Sequence, residues 1–284
     1  NRGYNIGRHR FAGTPFREDM MTSSRRDFLK VGGIAAALAL PGARLLSAEG
    51  EPKLGLIFPP LNYPIPPDAK LLYPTGVEFL SGGVGLPGGM TLAGYDEAIP
   101  RVLPAAEALA KQGAKVISVF GSSLTFYKGA KFNEELVAKV TKATGRPATT
   151  QSNGLVDGLK VANAKRVALA TAYTDTVTER LKLFLEEYGF QVTAAKGLGY
   201  ERLPDSVSPD VLVKLGVEAY AASNRADAVV MSCGGLRTLN VIVPLEGEIK
   251  VPVVSSTPHG LMNGVRLLGV SPRSQGYGMV LAKA

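Results

Sequence analysis

Two stretches decide the fold: Val116-Ile-Ser-Val-Phe-Gly121 and Ala228-Val-Val-Met-Ser-Cys233, each a short apolar run rich in β-branched residues that ends in small ones. Such a run, without polar alternation, is the pattern of a strand buried on both faces, as in a parallel sheet. A companion pair exists, since Gly55-Leu-Ile-Phe-Pro-Pro60 matches Ala168-Leu-Ala-Thr-Ala-Tyr173. The two matches are spaced 112 and 113 residues apart, so the chain carries a weak internal repeat.

Working outward, strands are predicted at 54–58, 116–120, 166–170, 228–232 and 251–254. Amphipathic helices are predicted at 94–112, 132–144, 174–188 and 208–222, with Asp175 or Ser208 as N-terminal caps. Strands alternating with helices read as an α/β fold. The repeat makes it two similar α/β/α domains with parallel sheets, related by a pseudo-twofold: residues 49–160 with 265–284, and residues 161–264. Ligands bind beyond the carboxyl ends of such strands. The active site is therefore expected in the cleft between the domains, lined by Pro59-Pro60, Gly121-Ser122-Ser123, Thr171-Ala172-Tyr173 and Cys233-Gly234-Gly235.

Composition agrees with a packed protein, with 45% hydrophobic and 20% charged residues among 284. One Cys and two His exclude an internal disulfide and a structural zinc site. The net charge of +8 is concentrated at the start of the chain, where residues 1–48 carry eight Lys/Arg against three acids. The remaining 236 residues hold only +3 and no basic run, which argues against a nucleic-acid partner.

That basic start reads as an export signal. Ser24-Arg-Arg-Asp-Phe-Leu-Lys30 resembles a twin-arginine signal, and the apolar run at 31–40 is too short to span a bilayer. The expectations are a start at Met21, cleavage after Ala48, recognition by the twin-arginine export machinery, a periplasmic location and no membrane span after processing.

The strand ends suggest the chemistry. Gly121-Ser-Ser-Leu-Thr and Cys233-Gly-Gly place small residues where backbone N–H groups can approach an anion. Hydroxyls of Ser122, Ser123 and Tyr173 add neutral donors, a set suited to a carboxylate or an enediolate. Cys233 is the only thiol, and a thiol beside such donors can protonate a carbanion.

These residues carry a family resemblance. Gly121-Ser-Ser-Leu-Thr-Phe-Tyr-Lys-Gly, Ala168-Leu-Ala-Thr-Ala-Tyr-Thr-Asp-Thr-Val-Thr-Glu-Arg-Leu and Met231-Ser-Cys-Gly-Gly-Leu look like the arylmalonate decarboxylases of the aspartate/glutamate racemase superfamily. The likeness runs from about Leu54 to Gly276-Tyr-Gly278 and includes Ile57-Phe-Pro-Pro60, Gly94-Tyr95-Asp96 and Val251-Pro-Val-Val-Ser-Ser256. It implies cofactor-independent decarboxylation of a small-molecule dicarboxylate, an arylmalonate, to a chiral monocarboxylic acid. Ser122, Ser123 and Tyr173, with the backbone of Cys233 and Gly234, would form a dioxyanion hole, and Gly121 and Pro59 would border the substrate. Leu86, Met90 and Tyr95 would line an apolar pocket for the departing carboxylate. Racemases of the superfamily resemble one another in having two cysteines on opposite faces of the substrate. Here Gly121 stands at the first position and Cys233 at the second, which implies one product enantiomer. No metal ligand set is implied.

Other readings are weighed on single features. A maleate isomerase or racemase is expected to need a cysteine at position 121. A periplasmic carboxylate-binding protein would not need Cys233. Gly83-Val-Gly85-Leu-Pro-Gly88 matches a dinucleotide fingerprint, but no strand is predicted before it. His259 is expected on a loop at the rim, with no nucleophile elbow around either serine. Asp96, Asp175 and Glu179 are expected at helix starts, where acids oppose the macrodipole.

Overall fold

From Leu54 onward the first strand, Lys53–Phe58 (β1), is apolar and wholly buried. A central parallel strand covered on both faces requires this. The computed structural model describes residues 50–284. The twin-arginine stretch, the apolar run and the cleavage position after Ala48 lie outside the described residues.

After β1 come Pro67–Leu72 (α1), Glu78–Gly83 (β2), Leu92–Ala98 (α2), a 3₁₀ turn at Ile99–Arg101, Val102–Lys111 (α3), Ala114–Val119 (β3), Ser122–Phe126 (α4), Gly129–Thr144 (α5) and Ala148–Thr150 (β4). The chain continues through Gln151–Val161 (α6), Arg166–Tyr173 (β5), Asp175–Glu187 (α7), Gln191–Tyr200 (β6), Pro209–Ala222 (α8), Ala228–Ser232 (β7), Leu239–Ile249 (α9), Val253–Ser255 (β8) and Ser256–Leu267 (α10). Two four-stranded sheets result, ordered β2-β1-β3-β4 and β6-β5-β7-β8. Every pairing in them is parallel. The second sheet repeats the first strand for strand, and the four segments of the sequence repeat are the inner strands β1, β3, β5 and β7.

In each sheet the chain leaves its inner pair in opposite directions, β1 to β2 on one side and β3 to β4 on the other. The ends of β1 and β3, and of β5 and β7, are therefore topological switch points, where a doubly wound sheet opens a crevice.

Local sequence explains most element limits. Thr91, Thr150 and Ser208 cap α2, α6 and α8, each accepting a backbone N–H three residues on. The helix expected over 94–112 is broken into α2, the 3₁₀ turn and α3, because Pro100 removes a donor and its ring crowds the preceding turn. Thr174, not Asp175, occupies the cap position of α7, and Asp175 is instead its first residue. Asp96 departs from its expected capping role: it accepts hydrogen bonds from Tyr127 Oη at 2.9 Å and from Lys128, tying α2 to the end of α4. Glu179 forms an exposed pair with Lys182 at 3.0 Å.

The halves meet through α4 and α5 against α7, and through α6 against α10. The second joint is built on glycine. A Cβ on Gly154 would stand 2.6 Å from Gly260 Cα, and one on Gly158 would stand 2.8 Å from Val254 Cγ1. His259 is not a rim residue. It is 1% exposed inside α10, its Nδ1 accepts the Ser255 N–H at 2.9 Å, and burial pushes its pKa down to about 4. The C-terminal residues touch both halves: Tyr73 Oη donates to Pro272 O at 2.8 Å, and the Met279 N–H donates to Glu246 at 2.9 Å.

Candidate active site

A cavity of about 390 Å³ opens at the switch points, a size suited to a small ligand. Three of the four predicted strand-end segments line it: Pro59 and Pro60 after β1, Gly121 to Ser123 after β3, and Cys233 to Gly235 after β7. The fourth does not. Tyr173, the last residue of β5, is wholly buried behind the wall, with its hydroxyl 3.0 Å from Ser122 Oγ and 3.4 Å from Ser232 Oγ.

Behind that wall four hydroxyls form one cluster. Ser256 Oγ lies 3.1 Å from Ser122 Oγ and 3.4 Å from Ser232 Oγ, and it accepts the Cys233 N–H at 3.2 Å. The Ser122 N–H donates to Gln151 Oε1 at 2.9 Å. The backbone donors of Ser122 and Cys233 are thus engaged within the protein. Residues of the cavity lining that carry donors include Ser122, Ser123 and Gly234.

Ser232, Ser256 and Gln151 were not singled out in the sequence, although a signal existed. Gln151 follows β4 and Ser256 follows β8, so the rule that looks past strand carboxyl ends finds both once the outer strands are counted. β4 is three residues long, too short to show a pattern, whereas β8 falls on the strand expected at 251–254, so Ser256 was within reach of the rule.

Cys233 is 5% exposed, with Sγ 3.9 Å from Met90 Sδ. Burial pushes its thiol up to about 11, against the N–H groups of Gly235 and Leu236 and the Tyr173 hydroxyl, which favour a thiolate. The thiol therefore holds its proton at neutral pH. A Cβ on Gly121 would stand 2.6 Å from Pro59 Cγ, so a side chain there would require the Pro59 ring to move.

The remaining wall is largely apolar. Phe58 and Phe120 meet edge to face at 5.5 Å, and Tyr63, Leu86, Met90 and Leu203 complete it. Tyr95 is not part of the wall. It is wholly buried, with its ring 5.2 Å from Tyr127. The loop carrying Leu86 and Met90 is tied to the segment after β6, since the Met90 N–H donates to Glu201 O at 2.7 Å and Arg202 donates to Pro87 O. Glu201, Arg202 and Asp205 bring charge to the cavity lining, whereas Asp96, Asp175 and Glu179 lie away from it.

Gly83 ends β2, so a strand does precede the Gly83–Gly88 fingerprint, contrary to expectation. Its last glycine has a packing reason: a Cβ on Gly88 would stand 2.8 Å from Gly94 Cα in the first turn of α2. Among the described residues, no three His, Cys, Asp or Glu side chains gather as a metal site.

Facing strand ends, neutral donors and one protonated thiol define a two-lobed α/β enzyme suited to acid–base chemistry on a carboxylate. The arylmalonate decarboxylase family model matches residues 54–281. The arylmalonate decarboxylase of Bordetella bronchiseptica is 43% identical over 236 residues, 82% of this chain and 98% of that protein. A solved arylmalonate decarboxylase in the liganded form, carrying a glycine-to-cysteine and a cysteine-to-serine change, superposes with a TM-score of 0.79 at 41% identity, covering 82% of this chain and 100% of that one. The maleate isomerase Iso of Pseudomonas putida S16 shares the fold, with a TM-score of 0.73 at 20% identity over 81% of this chain and 98% of that one. The chain belongs to the arylmalonate decarboxylase family and is a carboxy-lyase.

The state of the thiol is open to direct measurement. Alkylation of Cys233 by iodoacetamide is expected to be slow at pH 7 and to accelerate with pH without levelling off below about pH 10. A plateau near pH 7 would mean that the thiolate is already formed there.

Proposed function

We propose that the protein decarboxylates an arylmalonate-like disubstituted malonate to a chiral monocarboxylic acid, without a cofactor. The retained carboxylate accepts hydrogen bonds from the Ser122 and Ser123 hydroxyls and the Gly234 backbone. Tyr173 acts one layer behind, orienting Ser122. The leaving carboxylate sits against the apolar wall of Leu86 and Met90, which favours release of neutral CO₂ over a desolvated anion.

When the carbon–carbon bond breaks, its electron pair stays on the α-carbon and spreads into the retained carboxylate as an enediolate. The Cys233 S–H bond then breaks, its proton forms the new C–H bond, and the thiolate regains a proton from solvent. A thiol pushed up to about 11 keeps its proton until a strongly basic carbanion appears. The N–H groups of Gly235 and Leu236 then receive the sulfur's charge. With no thiol at Gly121, protonation comes from one side.

The observation that carries this reading is the single thiol, buried yet on a residue that lines the same cavity as Ser122 and Ser123. It is tested by CO₂ release from phenylmalonate and methyl-phenylmalonate. Cys233→Ala is expected to lower turnover by on the order of 10²- to 10⁴-fold, the usual worth of a positioned acid, while leaving substrate binding within a few-fold. Full turnover in that variant would remove Cys233 from the mechanism, and tight binding without turnover in either protein would favour a carboxylate-binding protein.

Export to the periplasm through the twin-arginine machinery belongs to the same proposal and rests on Arg25-Arg26 with Phe28-Leu-Lys30. Replacing both arginines by lysine is expected to keep the protein in the cytoplasm on fractionation. An unchanged periplasmic yield would contradict it.

A further inference from the structure

Gln151 is the first residue of α6 and is fully buried. Its amide stands between the two turns that face each other across the cavity. Oε1 accepts the Ser122 N–H at 2.9 Å, and Nε2 donates to Thr257 Oγ1 at 3.2 Å. Thr257 Oγ1 in turn donates to Gly234 O at 3.0 Å. One chain of hydrogen bonds thus runs from the turn after β3 to the turn after β7.

The direction of the amide is fixed by its partners. Turned over, it would set an NH₂ group against the Ser122 N–H, leaving a buried donor without an acceptor. Its closeness also constrains the opposite turn, since a Cβ on Gly234 would stand 2.7 Å from Gln151 Oε1. A side chain at position 234 would therefore push the Gln151 amide out of its bridge, whereas glycine leaves the bridge in place and a bare backbone that can approach an anion. By engaging the Ser122 N–H, Gln151 leaves the Ser122 hydroxyl as that residue's donor toward the cavity.

We propose that Gln151 is a positioning residue that sets the distance and orientation between the two carboxylate-holding turns, and through them the alignment of Cys233 with the substrate. The inference rests on the decarboxylase reading for its catalytic consequence, but the bridge itself also governs binding. A filler of the core would be replaced by any side chain of equal length. A positioning amide would not be.

The test uses Gln151→Met, which keeps length and burial but makes neither hydrogen bond, and Gln151→Glu, which as the neutral acid can make both. For Gln151→Met, kcat on phenylmalonate is expected to fall about 10- to 100-fold, the effect of a misplacement near 1 Å, with more of the minor enantiomer from methyl-phenylmalonate. For Gln151→Glu, activity is expected near the original at low pH and to fall as pH rises, because ionisation removes the donor to Thr257 and places a negative charge beside the carboxylate site. The titratable groups around the bridge are Cys233, Tyr173 and His259. Cys233 is pushed up to about 11, Tyr173 is raised by burial and His259 is lowered to about 4, so none of them titrates between about pH 6 and 9.

Binding of phenylmalonate to Cys233→Ala, with and without Gln151→Met, separates the two readings. Absence of turnover in the unaltered protein would overturn the decarboxylase reading, while a loss of affinity on adding Gln151→Met would still support the bridge. A folded Gln151→Met with unchanged kcat, enantiomer ratio and affinity would overturn the positioning role. Should Gln151→Met fail to fold, a pH profile for Gln151→Glu identical to that of the unaltered protein would do the same.

Discussion

Four hydroxyls sealed between two apolar sheets must satisfy one another. Ser122, Tyr173, Ser232 and Ser256 are each at most 1% exposed, and an unpaired buried polar group costs about 1–3 kcal/mol. The cluster draws on both halves, since Ser122 follows β3, Tyr173 and Ser232 end β5 and β7, and Ser256 follows β8. Only Ser122 comes from the first half, and its hydroxyl meets Tyr173 and Ser256 only when the second half is in place. The geometry that supplies donors to the cavity is thus the geometry that holds the halves together.

The chemistry follows from the same arrangement. On the proposed reading a wall of neutral hydroxyls and bare backbone binds the anion, and the desolvation that keeps Cys233 protonated is offset only in part, by the N–H groups of Gly235 and Leu236 and the Tyr173 hydroxyl. A lysine or arginine beside the thiol would favour the thiolate, which has no proton to give. On the proposed reading the apolar remainder of the wall works in the same direction, because it would give the departing carboxylate nothing to bind. Charge is confined to Glu201, Arg202 and Asp205 in the segment after β6.

Legibility in the sequence tracks burial. The inner strands β1, β3, β5 and β7 are buried almost end to end, so their apolar runs and the repeat between them expose the architecture. The edge strands β2 and β6 are partly exposed and carry no such run. Cys233, Ser122 and Ser123 were legible because small or reactive residues follow inner strands. Gln151 was hidden behind a strand of three residues, Ser256 was passed over although a strand was expected at 251–254, and Tyr95 was misplaced because a motif fixes order along the chain but not which face of a helix meets the cavity. His259 was misread for a related reason: Pro258 before it suggested a loop, whereas a proline in the first turn of a helix is well tolerated.

The central claim is that one thiol delivers one proton to one face. It is tested most directly by decarboxylating methyl-phenylmalonate in D₂O and measuring both the enantiomeric composition and the deuterium content of the product. The account predicts one predominant enantiomer carrying a single deuterium at the α-carbon. A racemic product would mean that the enediolate is protonated by solvent, and Cys233 would lose its place as the donor.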